Sequence, residues 1–319
     1  MTTPIRHVTC IGCGLMGSGW AAHFLRSGLD VTVYDPDPAR AAYTVDLVEK
    51  AWPSLEKLGL AKGARRDRLR IAKSLEEALD GAIFVQESAT ENQDLKIALL
   101  ADIERRLPEE GILSSSSSGF LAADLRRACK NGGRVIVGHP FNPPYLVPLV
   151  EIAGVDGANA GVVERARAFY EATGMKVVTL NREIRGYVAN RMQSAVLREV
   201  LYMLDQGVAT VEDIDAALSF GPARRWAFMG LSTVFYLGGG SPEGYRRFVD
   251  LIVNELAEGY AAPGDFHPSP ALVDRYVKEM TDWMSSTTYD ALRRRRDDGL
   301  VAVNMALAEA FPDEDPTRS

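Results

Sequence analysis

The chain is poor in cysteine and lacks long apolar segments. Only three of its 319 residues are cysteines, which is too few for a disulfide framework and predicts a reducing compartment. Cys10 and Cys13 have C-x-x-C spacing, but one lies in a predicted strand and the other in a glycine-rich loop, so we predict no redox motif. No apolar run approaches the roughly 18 residues of a membrane span, and the first residues lack a signal-peptide core. We therefore expect a cytoplasmic protein with no membrane partner.

An excess of positive charge is also missing. The formal net charge is -7, whereas nucleic acids and anionic membranes require a basic surface. The four arginines at 293–296 do not change this expectation, because Asp297 and Asp298 follow at once. That pattern indicates a solvated helix face. Because the charge pattern argues against nucleic acids and anionic membranes, we expect the partner to be a small-molecule substrate.

The composition, 46% hydrophobic and 25% charged, is typical of a globular protein long enough for two domains. Short apolar strands alternate with helical segments up to about Arg182, and this alternation predicts an α/β domain with a doubly wound, Rossmann-like parallel sheet. Beyond that point the strand signals disappear and helical spacing takes over. We predict a first domain at 1–182 and an all-α second domain at 183–319.

A glycine motif opens the chain directly after its first predicted strand. Gly12 permits a tight turn, Gly14 lets backbone approach a pyrophosphate, and Gly17 lets the following helix pack on the sheet. That helix starts at Leu15 and Met16, and its N-terminus favours an anion. The motif therefore predicts a dinucleotide-binding site.

Asp35 ends the second predicted strand, 18 residues after the last glycine of the motif. A carboxylate there accepts hydrogen bonds from the adenosine ribose and repels a 2′-phosphate. Asp37 adds to the negative field, while Arg40 is the one nearby positive charge. NAD is therefore the predicted cofactor in preference to NADP.

A histidine stands at the carboxyl end of another strand, where open α/β sheets bind ligands. The strand 135–138 leads into His139, and Glu151 follows twelve residues later. Oxidation of a secondary alcohol needs a base that titrates near neutrality, and a paired carboxylate stabilises the charged imidazole. The serine run 114–118 is the other polar segment at a strand end. Together with the dinucleotide motif, these residues predict a hydride-transfer enzyme whose site contains no metal.

Six motifs along the chain resemble those of the 3-hydroxyacyl-CoA dehydrogenase superfamily. They are Ile11-Gly-Cys-Gly-Leu-Met-Gly, Gln86-Glu-Ser-Ala-Thr-Glu-Asn, Leu113-Ser-Ser-Ser-Ser-Ser, Gly138-His-Pro-Phe-Asn-Pro, Leu149-Val-Glu-Ile and Gly186-Tyr-Val-Ala-Asn-Arg. The resemblance covers essentially the whole chain. It implies a Rossmann-like NAD domain followed by a helical domain that forms a homodimer.

The resemblance also implies roles. His139 is the general base, Glu151 pairs with it, and Asn190 donates or accepts a hydrogen bond near the reacting centre. Ser117 binds the 3-oxygen of the substrate, with its two neighbours in the serine run as alternatives. Glu91 and Lys96 are implied to make the nicotinamide-side and ribose contacts, as the family motif places them.

Within the superfamily, one branch oxidises acyl-CoA thioesters and another oxidises small free 3-hydroxy acids such as L-carnitine or L-gulonate. The chain resembles the free-acid branch in Gln86-Glu and in Arg225-Trp-Ala-Phe-Met-Gly. Arg225 is the predicted partner of a substrate carboxylate, with Arg224 as its competitor. Trp226, together with Phe228 and Tyr236, is a candidate aromatic wall for a quaternary ammonium, although core packing explains such residues equally well.

We therefore predict NAD-dependent oxidation of a small L-3-hydroxy acid to the 3-keto acid. A 3-hydroxyacyl-CoA dehydrogenase acting on a thioester is the first alternative, and a non-catalytic NAD-binding or structural protein is the second. The sequence leaves the C4 substituent of the substrate, the physiological direction and the pathway open.

Overall fold

The computed structural model describes residues 5–159, 161–227, 229–239, 242–257, 259, 261–264, 266, 269–284, 286 and 288–310. The strands in these ranges are β1 (His7–Ile11), β2 (Asp30–Tyr34), β3 (Leu69–Ile71), β4 (Phe84–Glu87), β5 (Ile112–Ser115), β6 (Val135–Pro140), β7 (Leu149–Ala153) and β8 (Lys176–Thr179). The first six helices are α1 (Leu15–Arg26), α2 (Pro38–Lys57), α3 (Leu75–Leu79), α4 (Gln93–Arg106), α5 (Ala122–Leu125) and α6 (Val162–Ala172). The later helices are α7 (Ala189–Asp205), α8 (Val211–Phe220), α9 (Pro222–Trp226), α10 (Leu231–Gly238), α11 (Pro242–Ala257), α12 (Pro270–Met284) and α13 (Tyr289–Ala310).

The strands form a single sheet in the order β3-β2-β1-β4-β5-β6-β7-β8. A parallel sheet was predicted, but β7 is antiparallel to β6. The parallel prediction is wrong here because only eight residues, 141–148, join the two strands. A parallel crossover needs a dozen or more residues, so the chain turns back instead. The other strand pairs are parallel, which confirms the predicted Rossmann-like fold class.

Both faces of the sheet are covered, as the near-continuous apolar strands require. On β4, Phe84 packs into a cluster with Trp20 and Phe169, whereas its neighbour Val85 packs with Leu100 on the opposite face. Adjacent residues of a strand point to opposite sides, so this alternation places one helical layer on each face. The sheet is thereby held rigidly between the two layers, and its carboxyl edge carries the polar side chains described below.

The chain forms two compact units. One contains the described residues up to Val188 together with those from Asp297 onward, and the other contains Ala189–Arg296. In the first unit, the C-terminal part of α13 contributes Val301 to the core, and Asn304 Nδ2 donates to the Leu146 carbonyl oxygen at 2.7 Å. The division at 182/183 remains a prediction of the sequence.

The described residues of the second unit form helices joined by turns and loops, and none of them lies in a strand. This unit has a small core of its own, in which Leu201 and Leu204 of α7 pack with Val211 and Leu272. The elements that were not predicted from the sequence are the short strand β3 and the helices α3, α5, α6, α9, α10 and α12. Across the described part of the chain, no helix combines the length and apolarity that crossing a membrane requires.

Candidate active site

The antiparallel pairing of β6 and β7 sets His139 directly opposite Glu151. Opposed residues of an antiparallel pair lie on the same face of the sheet, so the two side chains meet. His139 Nδ1 lies 3.0 Å from Glu151 Oε2, and both side chains are buried. The predicted histidine–carboxylate pair therefore has the geometry of a hydrogen-bonded dyad.

The direction of this hydrogen bond follows from the chemistry of its partners. An ionised carboxylate can only accept, so the proton sits on His139 Nδ1 and leaves a lone pair on Nε2. Among the described residues, Nε2 has no hydrogen-bond partner. Phe141 and Tyr187 flank the ring, with centroids 5.2 and 5.1 Å away. The imidazole is thus held in the tautomer that can accept a proton through Nε2.

The segment that precedes α7 fixes the carboxylate from the other side. Val188 N donates to Glu151 Oε1 at 2.9 Å, and the preceding Tyr187 has a left-handed backbone with φ of 48°. This conformation is costly for a tyrosine and is typical of positions that the surrounding structure over-determines. Tyr187 is fully buried, and its hydroxyl donates to the Phe120 carbonyl oxygen at 2.7 Å. Its tight packing accounts for the strained backbone that aims the Val188 amide.

The serine run begins inside β5 and continues beyond it. Ser117 is fully buried, and its hydroxyl donates to Glu91 Oε1 at 2.6 Å while accepting from Phe120 N. Ser118 is exposed, and only its backbone amide bonds to Glu91. The hydroxyl of Ser117 is therefore engaged in the interior, whereas that of Ser118 faces outward.

Three charged side chains bridge the ends of β4 and β5. Lys96 Nζ, which is 1% exposed, lies 2.7 Å from Glu87 Oε1 and 3.4 Å from Glu91 Oε2. Glu87 Oε2 also accepts from the Ser115 hydroxyl at 2.5 Å. A buried cation requires such pairing, and two carboxylates provide it here. The roles of Glu91 and Lys96 toward the cofactor remain predictions, supported by their place at this edge.

The glycine loop has the form of a dinucleotide cradle. Gly12 has a φ of +92°, and a Cβ on Gly17 would stand 1.8 Å from the Gly12 carbonyl oxygen, so neither position tolerates a side chain. Over Gly14 the nearest atom to an added Cβ is an Arg40 nitrogen at 3.8 Å, which leaves open space. The helix α1 starts at the exposed Leu15 followed by Met16, without a side-chain cap. The uncapped backbone amides at the start of α1 and the open space over Gly14 fit a pyrophosphate.

Asp35 anchors this loop from the end of β2. Its Oδ2 accepts from Cys13 N at 2.8 Å, and its Oδ1 accepts from Asp37 N at 2.9 Å. The carboxylate is half-buried beside the cradle, where it retains lone pairs for further donors. Burial raises the pKa of the Cys13 thiol to about 11, so this thiol is protonated at neutral pH and is not a redox nucleophile.

The remaining predicted residues belong to the second unit. Asn190 is the second residue of α7 and is half-buried. Arg225 and Trp226 end α9 and are exposed, as is Tyr236 on α10. The guanidinium of Arg224 stacks over the Phe220 ring at 4.8 Å. Phe228, the other aromatic candidate, lies outside the described residues.

The sequence analysis assigned no individual role to several residues that shape the site. Glu87 and Tyr187 are the buried members that hold the charged bridge and the dyad. Gln86 is also fully buried, at a strand end where an apolar residue is the ordinary choice. A polar residue inside an apolar strand was the available signal for Gln86 and Glu87. No sequence pattern predicts that a tyrosine adopts a left-handed backbone conformation, as Tyr187 does.

Comparison with known proteins agrees with this geometry. Residues 7–184 match the family model of the 3-hydroxyacyl-CoA dehydrogenase NAD binding domain, and residues 186–279 match that of the C-terminal domain. A solved (S)-3-hydroxybutyryl-CoA dehydrogenase from Ralstonia eutropha is 28% identical, with a TM-score of 0.62 over 81% of this chain and 95% of that one. A solved 5-formyl-3-hydroxy-2-methylpyridine 4-carboxylic acid 5-dehydrogenase, 24% identical, shares the fold with a TM-score of 0.80 over 95% and 98% of the two chains.

Curated relatives are similar over nearly the whole chain. An L-carnitine dehydrogenase of Streptomyces griseus is 48% identical over 94% of this chain and 89% of that protein. The L-carnitine dehydrogenase of Streptomyces coelicolor is 41% identical over 99% of both. The predicted resemblance, the NAD cofactor and the dehydrogenase class are thereby confirmed. The chain belongs to the 3-hydroxyacyl-CoA dehydrogenase family and is an NAD-dependent oxidoreductase.

Proposed function

We propose that the chain oxidises L-carnitine, a free 3-hydroxy acid with a quaternary ammonium at C4, to the 3-keto acid. The observation that carries the reaction type is the buried pair of His139 and Glu151, 3.0 Å apart at the carboxyl edge of an NAD-binding sheet. The relatives named L-carnitine dehydrogenase support the substrate. NAD, when bound, supplies the hydride acceptor.

The dyad performs the proton chemistry of this proposal. His139 Nε2 takes the proton of the 3-hydroxyl, while Nδ1 keeps its proton and donates a hydrogen bond to Glu151 throughout. The imidazole becomes a cation in this step, and the adjacent carboxylate stabilises that charge. Val188 N holds the carboxylate at its second oxygen, so the acceptor does not have to reorganise.

The substrate oxygen also needs a hydrogen-bond donor. Three serines were left open by the sequence. Ser117 donates to Glu91 and Ser116 is bonded to the buried Gln86, whereas the Ser118 side chain is exposed. We therefore assign the contact with the 3-oxygen to Ser118 and a supporting role to Ser117. Asn190 is the second proposed polar group near the reacting carbon.

The second unit supplies candidates for the two charged ends of L-carnitine. Arg225 is our choice for the carboxylate, because the guanidinium of Arg224 is already stacked on Phe220. Trp226 and Tyr236 present exposed aromatic surface suited to a quaternary ammonium. This assignment separates the proposal from a thioester activity, since a thioester has no carboxylate for Arg225.

NADH formation tests the substrate directly. L-carnitine should give a higher kcat/KM than L-gulonate, 3-hydroxybutyrate and 3-hydroxybutyryl-CoA. Arg225→Leu should raise the KM for L-carnitine roughly 10- to 150-fold, the loss of one charge-assisted pair of about 1.5–3 kcal/mol. Arg224→Leu is the matched control and should change KM little. Preference for the thioester, or an equal defect in both variants, would reject the assignment.

We also propose a homodimer in the cytoplasm. Helices of the second unit expose large apolar side chains, among them Met192 and Leu197 on α7, Leu251 on α11 and Val277 on α12. Such surface is typical of a protein interface. Three free cysteines suit a reducing compartment.

A further inference from the structure

A second polar network, separate from the charged bridge, lies beneath the carboxyl edge of the sheet. It joins β4, β5 and β6 to helices α1 and α6. Its members are Trp20, Gln86, Ser88, Ser114, Ser116 and Tyr170. All of them except Ser88 and Ser116 are fully buried, so each donor and acceptor needs a partner.

The orientation of the Gln86 amide is determined by its surroundings. Its Nε2 lies 3.4 Å from the Gly138 carbonyl oxygen, which can only accept. A flipped amide would set two carbonyl oxygens against each other, so the nitrogen must face Gly138 and the oxygen must face Tyr170. The Tyr170 hydroxyl then donates to Gln86 Oε1, and Ser114 donates to Tyr170. Burial raises the pKa of Tyr170, which keeps that donor protonated.

The same assignment of donors and acceptors determines where the hydroxyl proton of Ser116 points. Its oxygen accepts from Gln86 Nε2 at 2.8 Å and from Trp20 Nε1 at 3.2 Å, and both of these nitrogens are donors only in this arrangement. Two accepted bonds use both lone pairs of a hydroxyl oxygen. The Ser116 proton must therefore point to the third neighbour, Ser88 Oγ, at 2.8 Å.

Ser88 is consequently an acceptor inside the network and must donate elsewhere. Among the described residues, no other side chain or carbonyl accepts its proton. Ser88 is half-exposed and follows β4 directly, and its backbone amide donates to the Ile11 carbonyl oxygen beside the glycine loop. The network thus orients one hydroxyl donor, that of Ser88, at the carboxyl edge of the sheet, beside the glycine loop.

The strand order indicates which half of the dinucleotide meets this donor. β1, whose glycine loop receives the pyrophosphate, lies between β2 and β4. Asp35 at the end of β2 marks the adenosine side. The end of β4 lies on the opposite side of β1, together with the strands that carry the dyad and the serine run. Ser88 therefore faces the nicotinamide half.

We propose that the Ser88 hydroxyl, oriented by Ser116 and Gln86, donates a hydrogen bond to an oxygen of the nicotinamide half of NAD. The proposal rests on the NAD binding of the family and is independent of the identity of the 3-hydroxy acid. Its test is therefore a binding measurement without substrate, whose failure would leave the carnitine proposal standing.

Fluorescence titrations with NADH and with AMP test the proposal. Ser88→Ala should raise the Kd for NADH about 2- to 12-fold, the value of one uncharged hydrogen bond, and should leave the Kd for AMP unchanged. Ser54→Ala is the matched control, because Ser54 is also a half-buried serine but lies in the C-terminal part of α2. It should change neither constant. A native Kd for NADH in Ser88→Ala, or an equal loss for AMP, would overturn the assignment.

A double-mutant cycle tests the orienting role of Ser116. Ser116→Ala alone should weaken NADH binding because Ser88 is then free to turn. In the Ser88→Ala background the same change should have no further effect, since its influence passes through Ser88. Additive losses of NADH affinity would show that Ser116 acts through packing and would refute the relay.

Discussion

Replacing Glu151 by glutamine tests whether the dyad works as its geometry indicates. The carboxylate accepts from His139 Nδ1 at 3.0 Å through one oxygen and from Val188 N at 2.9 Å through the other. A glutamine offers one oxygen and one NH2 group, so one of these two donors must face another donor. The substitution keeps the shape of the side chain but cannot satisfy both partners.

Either arrangement of the glutamine impairs catalysis. If its oxygen serves Val188, the imidazole must move its proton to Nε2 and can no longer act as the base. If its oxygen serves His139, the imidazolium loses a charge-assisted bond of about 1.5–3 kcal/mol. The second case alone predicts a kcat reduced roughly 10- to 150-fold, because each 1.36 kcal/mol corresponds to tenfold. The first case predicts a larger loss.

The assay is steady-state NADH formation at saturating 3-hydroxy acid, with the Kd for NADH as the check of folding. Glu104→Gln is the control, because Glu104 is likewise buried but pairs with Arg134 just before the amino end of β6. It should lower stability without lowering kcat of the folded enzyme. His139→Gln should lose about 10²–10⁴ in kcat, and adding Glu151→Gln to it should cost little more. A Glu151→Gln enzyme with nearly native kcat, or full additivity with His139→Gln, would refute the reasoning.

Three further predictions concern the cofactor, stability and assembly. Asp35→Ala should weaken NAD binding and reduce discrimination against NADP in cofactor titrations, and an unchanged preference would make Asp35 a loop anchor only. Burial lowers the pKa of His23 to about 3, so its stabilising contribution is complete above pH 6.5 and is lost as the pH falls toward 3. The free energy of unfolding, measured by urea denaturation, should therefore fall between pH 7.5 and pH 5 in the native chain. In His23→Gln this fall should be about 2 kcal/mol smaller, and equal falls in the two proteins would contradict the prediction. Light scattering should give a dimer mass that Met192→Glu shifts toward the monomer, whereas a native monomer would exclude the proposed interface.

The dyad shows what a single sequence can and cannot predict. A histidine after an apolar strand and a carboxylate twelve residues later were sufficient to predict a base and its partner. Their register was not predicted, because it depends on the chain reversing after β6. The eight-residue connection to β7 was the available clue, since it is too short for a parallel crossover. Counting that connection would have predicted that β7 runs antiparallel to β6, whereas the register that sets His139 opposite Glu151 is seen only in the structure.

The second half of the chain was less predictable for a different reason. Helical spacing over residues 184–204, 211–220, 243–258 and 289–311 predicted the helices α7, α8, α11 and α13, but α9, α10 and α12 were missed. No pattern indicated that the end of α13 belongs to the first unit. Periodicity reports which face of a helix is apolar and does not report which other element covers that face. The role of Asn190 consequently rests on the family resemblance, and that of Arg225 is tested by the Arg225→Leu and Arg224→Leu pair.

The serine run shows most clearly what the sequence alone could not predict. Five identical residues contain no pattern, yet their partners alternate with the period of two that a strand imposes. Ser114 and Ser116 bond to the uncharged network of Tyr170 and Gln86, whereas Ser115 and Ser117 bond to the carboxylates of the charged bridge. Serine suits all four positions, because a strand between two buried polar networks needs a small donor and acceptor on both faces. The alternation leaves Ser118, the first exposed member, as the hydroxyl that can meet a substrate.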